Sequence, residues 1–159
     1  MALDTSVIGK PTGAHRVVVE RGPVSNFASA LKDENPVYHD PAAAKAAGFD
    51  DIPAPPTWSF AMQYWGRFPE DQPDDPSGGE NPMRQIMGEL FAKGGLVLHG
   101  EQEFEYHRPL VVGEGRIVDL YEKESKGRTM TFVVTETVWR DEKSGEPAVT
   151  ERFNLIHRS

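Results

Sequence analysis

The sequence predicts an α+β fold: an antiparallel meander sheet curled around one central buried helix. Two observations carry this. From Leu96 onward the chain is a series of long β-branched and aromatic runs broken by short turn signals. Before them, Thr57–Phe68 (TWSFAMQYWGRF) is apolar nearly all round at helical spacing, the mark of a helix covered on most sides. The length of 159 residues suits one domain over 1–159, with no repeat or linker to divide it.

His15–Glu20 (HRVVVE) reads as a strand stopped by Gly22-Pro23, and Pro23–Lys32 as a helix with proline in its first turn. Asp40–Ala47 is a short helix, with Asp40 as cap, Pro41 opening it and Gly48 closing it. In the central helix Trp58, Ala61, Met62 and Trp65 form one face, and Phe60 and Tyr64 a second. Pro69–Pro82 is acidic and rich in Pro and Gly, a surface loop, and Met83–Lys93 is a helix closed by Gly94-Gly95. Leu96–Arg108, Arg116–Lys123, Arg128–Trp139 and Ala148–His157 are strands, separated by turns at Gly113–Gly115, Lys126-Gly127 and Lys143–Glu146.

Composition narrows the function classes. Apolar residues make up 38% and charged residues 26%, and no apolar run approaches the ~20 residues of a membrane span. Met1 to Lys10 lacks a basic start followed by an apolar stretch, so no signal peptide is expected. The chain has no cysteine, which excludes disulfides and thiolate chemistry and fits a reducing cytoplasm. A net charge of −8 without a basic stripe argues against nucleic acid and anionic membranes as partners. No His and carboxylate spacing suggests a metal site, and there is no glycine-rich phosphate loop.

Asp33–Phe49 (DENPVYHDPAAAKAAGF) carries a motif. It resembles the hydratase motif of the MaoC-like dehydratase family, the (R)-specific enoyl-thioester hydratases and 3-hydroxyacyl dehydratases. Asp33, Asn35, Pro36, Val37, Asp40, Ala46, Ala47, Gly48 and Phe49 fall in register with it, and Ile52-Pro53-Ala54 matches the approach to the family's central helix. Phe104–Glu114 (FEYHRPLVVGE) is similar to the family's aromatic strand and turn. The resemblance covers nearly the whole chain and implies a hot-dog fold, an acyl-thioester substrate on CoA or on acyl carrier protein, and no cofactor.

The resemblance also implies where this chain departs. The family's motif histidine and aspartate move protons between water and the acyl chain, and an N–H at the start of the central helix polarises the thioester carbonyl. Here Tyr38 holds the histidine position and Pro55-Pro56 replaces the family's His-Gly. An ordinary tyrosine, with a pKa of ~10, is a poor base at neutral pH, and Pro56 has no N–H to donate. These features resemble the accessory hot dogs of paired dehydratases, which shape the acyl pocket while the other hot dog retains the base. A second hot-dog subunit with an intact Asp/His motif is therefore the expected partner. Asp33, Asn35 and His39 are the candidate catalytic residues; Tyr38, Pro56, Thr57, Trp58 and Met62 are the candidate substrate-binding residues. For Asp33 and Asn35 the competing reading is an Asx turn into Pro36; for Trp58 and Met62 it is core packing. Three alternatives stay open: a self-sufficient homodimeric hydratase using Asp33 and His39, a non-enzymatic acyl-thioester binding protein, and a thioesterase.

Overall fold

The computed structural model describes residues 4–108, 112–125 and 128–158, with backbone alone over 112–125 and at 128. In chain order the elements are β1 (Pro11–Arg16), α1 (Arg21–Ala30), α2 (Pro41–Ala46), α3 (Trp58–Trp65), α4 (Pro82–Ala92), β2 (Leu96–Tyr106), β3 (Val112–Ser125), β4 (Arg128–Arg140) and β5 (Pro147–Arg158). The strands form an antiparallel sheet in the order β1-β3-β4-β5-β2. This is the hot-dog arrangement: the helices lie on one face of the sheet, with α3 at their centre. No helix among the described residues is long and apolar enough to cross a membrane.

The helix boundaries follow local chemistry. The side chains of Asp40 and Asn81 accept backbone N–H groups two residues on, from Ala42 and Met83, and each is followed by a proline in the first turn. One cluster packs α3 against the sheet: Trp58 and Met62 meet Val17, Val24, Trp139 and Val149. A second seats Ile86 and Leu90 of α4 against Val133 and Leu155.

Four expectations change. The first strand is Pro11–Arg16, not His15–Glu20. Val17 leaves the sheet to enter the core, and the Val18 N–H donates to the Gly66 carbonyl at the end of α3 (2.8 Å). Gly113–Gly115 is not a turn. It runs through β3, where Gly113 pairs with His15 on one side and Trp139 on the other. The meander comprises β3, β4 and β5 only, because β2 crosses to the far edge and pairs with β5. The central helix buries Trp58, Ser59 and Met62, while Tyr64 and Trp65 are 71% and 56% exposed. Each apolar face is therefore covered only in its first part: Phe60 packs on Phe153 and His99, while Tyr64 and Trp65 at the last turn stay exposed. The Lys126-Gly127 turn and residues 109–111 of the second motif lie outside the described residues.

Candidate functional site

The motif loop is built by its own side chains. Lys32 adopts a left-handed backbone (φ 57°) that ends α1, and the Asp33 N–H returns to the Ala28 carbonyl (3.0 Å). Asp33 Oδ1 then accepts the Asn35 N–H (3.0 Å), and Asn35 Oδ1 accepts the Val37 N–H (3.2 Å), capping a 3-10 turn over Pro36–Tyr38. These are Asx turns, so both residues shape the loop. His39 Nε2 lies 3.0 Å from the main-chain oxygen of Asp33. A carbonyl only accepts, so this ring nitrogen carries the hydrogen in that contact. The loop thus joins His39 to Asp33 through the backbone rather than through the carboxylate.

Beside this loop lies a cavity of about 490 Å³. Ile52–Pro56 forms one wall, Tyr38 and Phe49 stand on the motif side, and Tyr106–Arg108 arrives from the end of β2. Val19 and Val149 also line it. The surface is largely apolar, with two phenols, one imidazole and one guanidinium at its polar points. Burial first, then the negative charge of Asp33, hold the Tyr38 pKa above its ordinary value. Arg108 pairs with Glu146, and His107 Nε2 lies 3.3 Å from Thr150 Oγ1. The backbone N–H groups of His107 and Arg108 both donate to the Ala148 carbonyl (2.6 and 3.0 Å), fixing this rim to β5.

The candidate residues separate into three groups. Tyr38 and Pro56 line the cavity. Asp33, Asn35 and His39 stand together in the adjoining motif loop. Trp58 and Met62 are fully buried in the core, joined to the cavity through Val149, Val19, Ile52 and Ala54, which belong to the cluster or pack against it and also line the cavity. Thr57 is exposed at the start of α3 and makes no side-chain cap bond.

Sequence reasoning did not single out Tyr106, Arg108 or Glu151. Glu151 is 5% exposed on the helix-facing side of β5, beneath the first turn of α3. Gln102 Nε2 donates to its Oε1 (2.7 Å) and Trp139 Nε1 to its Oε2 (3.4 Å). Burial pushes this carboxyl above the usual glutamate range, against those donors and the nearby Ser59 hydroxyl. The Ser59 hydroxyl is itself buried and makes no regular hydrogen bond among the described residues. The charge of Glu151, after burial, also holds the Tyr106 phenol above its ordinary pKa, linking the buried carboxyl to the cavity wall. The signal available in the sequence was period two along β5, which sets Glu151 on the same face as Val149 and Phe153.

Comparison with known proteins agrees with this architecture. A family model described as FAS1-like, dehydratase domain region, matches residues 6–151. A UPF0336 protein of Saccharopolyspora erythraea is 34% identical over 161 residues, covering 99% of this chain and 93% of that one. A protein of Thermomonospora curvata named "Probable enoyl-CoA hydratase alpha subunit" is 31% identical, covering 84% of this chain and 43% of that longer one. In the ChsH1-ChsH2 complex from Mycobacterium tuberculosis, one chain superposes with a TM-score of 0.72 at 23% identity, covering 92% of this chain and 88% of that one. The chain belongs to the FAS1-like dehydratase domain family, with the hot-dog fold of the MaoC-like dehydratases.

Proposed function

We propose that the chain is the substrate-binding subunit of a hetero-oligomeric (R)-specific enoyl-thioester hydratase or 3-hydroxyacyl-thioester dehydratase. The observation that carries this reading is the cavity beside the motif loop, with Tyr38 and Pro56 in its lining. Its apolar walls suit an acyl chain, and Arg108, ion-paired with Glu146, stands at one rim. Within the reading, the two positions that would hold a general base and an oxyanion donor hold a phenol with a raised pKa and an imide nitrogen without a hydrogen. The partner subunit then supplies the base and the N–H donor, while this chain holds the acyl group. The T. curvata relative is named as an alpha subunit, and the fold neighbour was solved as a two-protein complex; both support pairing.

The self-sufficient reading keeps one specific observation in its favour, the contact between His39 and Asp33. One assay separates the two: hydration of trans-2-enoyl-CoA substrates of several chain lengths by the purified chain, with Asp33→Asn as control. No turnover by the chain alone, with saturable binding of acyl-CoA, is the expected result. Turnover abolished by Asp33→Asn would overturn the accessory reading and make His39 the next residue to replace.

A further inference from the structure

β1 closes one end of the sheet and pairs only with β3. A strand in that position offers free N–H and C=O groups on its outer side, and proteins guard such edges with charge, proline or a covering segment. The run Pro11–His15 (PTGAH) contains no Lys, Arg, Asp or Glu, so its own side chains deter little. The guard comes from elsewhere in the chain. After α3, residues 66–82 run back along this edge in the opposite sense to β1. The Gly66 carbonyl accepts the Val18 N–H (2.8 Å). The Gln72 side chain then meets Arg16 as a neighbouring strand would: its Oε1 accepts the Arg16 N–H (3.3 Å) and its Nε2 donates to the Arg16 carbonyl (3.1 Å). Asn81 Nδ2 donates to the carbonyl of Thr12, the residue that β3 skips at a bulge. Positions 12, 16 and 18 share the phase in which an edge strand turns its main-chain groups outward.

Further contacts hold this segment down. Gln72 Nε2 also donates to the Phe68 carbonyl (2.8 Å), which fixes the amide from behind. The Arg16 guanidinium spans the segment, with Nη1 2.9 Å from Asp71 and Nε 2.9 Å from Glu142 in the turn between β4 and β5. The segment is also unable to extend the sheet itself. It meets β1 largely through side-chain amides, and prolines at 69, 73, 76 and 82 remove N–H groups a further strand would need. Glu70, Asp71, Asp74, Asp75 and Glu80, against Arg67 alone, set like charges toward a second copy.

We propose that residues 66–82 are a strap that stands in for a sixth strand, with Arg16 as its clasp, and that this strap keeps β1 of one copy from pairing with β1 of another. The closure concerns the fold and does not depend on which thioester the cavity takes.

Gln72→Ala/Asn81→Asp withdraws both amide donors. The aspartate retains the oxygen that caps α4, and the alanine adds no large apolar side chain. Hydrogen–deuterium exchange read at single residues is expected to find the Arg16 amide exchanging about tenfold faster. Size-exclusion chromatography with light scattering is expected to find the variant gaining mass with concentration beyond the unaltered chain. Adding Ala14→Pro should reverse that gain. Ala14 shares the outward phase of Arg16, so proline there removes an outward N–H and leaves the bonds to β3 in place. A folded variant with a freed Arg16 amide and the mass of the unaltered chain would overturn the proposal. So would association that survives Ala14→Pro, or an Arg16 amide as slow as in the parent. If circular dichroism shows the double variant unfolded, Asp71→Asn/Glu142→Gln releases the clasp alone and is judged by the same three readings.

Discussion

Replacing Gly66 with alanine is expected to loosen the central helix from residues 17–18, which follow β1. Gly66 follows the last turn of α3 with φ −115°, a backbone that alanine also adopts, so conformational strain does not enter. The obstacle is space. A Cβ there would lie 2.5 Å from Val17 Cγ1 and 2.6 Å from the Val18 carbonyl oxygen, and the latter is main chain that cannot swing aside. Relief requires moving residues 17–18 away from α3, which stretches the Val18 N–H to Gly66 O bond (2.8 Å) and lifts Val17 from the core. Overpacking of this kind costs ~1–3 kcal/mol, and one backbone hydrogen bond contributes ~1 kcal/mol. Together these predict a loss of about 2–4 kcal/mol. At roughly 2–4 °C per kcal/mol for a chain of this size, the melting midpoint should fall by ~5–15 °C. Thermal and urea unfolding followed by circular dichroism measure this. Gly88→Ala is the control. It sits within α4 with nothing near its Cβ, and it should stabilise by ~0.5–1 kcal/mol. A Gly66→Ala variant as stable as the parent would refute the claim that this contact holds β1, the core and α3 in register.

Asp40→Ala removes the cap of α2 and should destabilise by ~1 kcal/mol in denaturant titration. Glu151 has a pKa raised in the folded state, so the native protein holds this proton where the unfolded chain has released it. Its contribution to stability is present below the ordinary glutamate pKa and is lost as pH rises from there through the raised value. The stability difference between the parent and Glu151→Gln should therefore drift in the variant's favour over that window; a pH-independent difference would contradict the buried charge. Tyr38→His combined with Pro56→Gly returns a titratable base and an N–H donor to the cavity wall. If these positions correspond to the family's base and donor, enoyl-CoA hydration by the pure chain should rise by ~10²-fold or more; no gain would break that correspondence.

Features encoded over a few residues were legible in the sequence. Asp40-Pro41 marked the start of α2 because a cap and a fixed φ act locally. The motif loop was legible for the same reason: Asp33 and Asn35 bond backbone groups two residues ahead. What escaped depended on partners far along the chain. The β-branched run Val17–Val19 resembles a strand by composition, yet Val18 bonds Gly66. Gly113–Gly115 resembles a turn until β1 and β4 are seen on either side of it. The cavity was half visible. Tyr38 and Pro56 belong to segments already in view, whereas Tyr106–Arg108 reaches the site through the pairing of β2 with β5. Glu151 was missed because a carboxylate on a core-facing position reads as an interruption of the pattern until Gln102 and Trp139 are seen to meet it.

The wall formed by Ile52–Pro56 contains three prolines, at 53, 55 and 56. Each ring fixes its own φ and restricts the residue before it, so this side of the cavity has few conformations to surrender when a guest arrives. Such a wall acts as a fixed gauge rather than a closing hand. On the proposed function, selection among acyl groups would then rest on whether a chain fits a shape already present, and a guest too wide would be refused instead of accommodated.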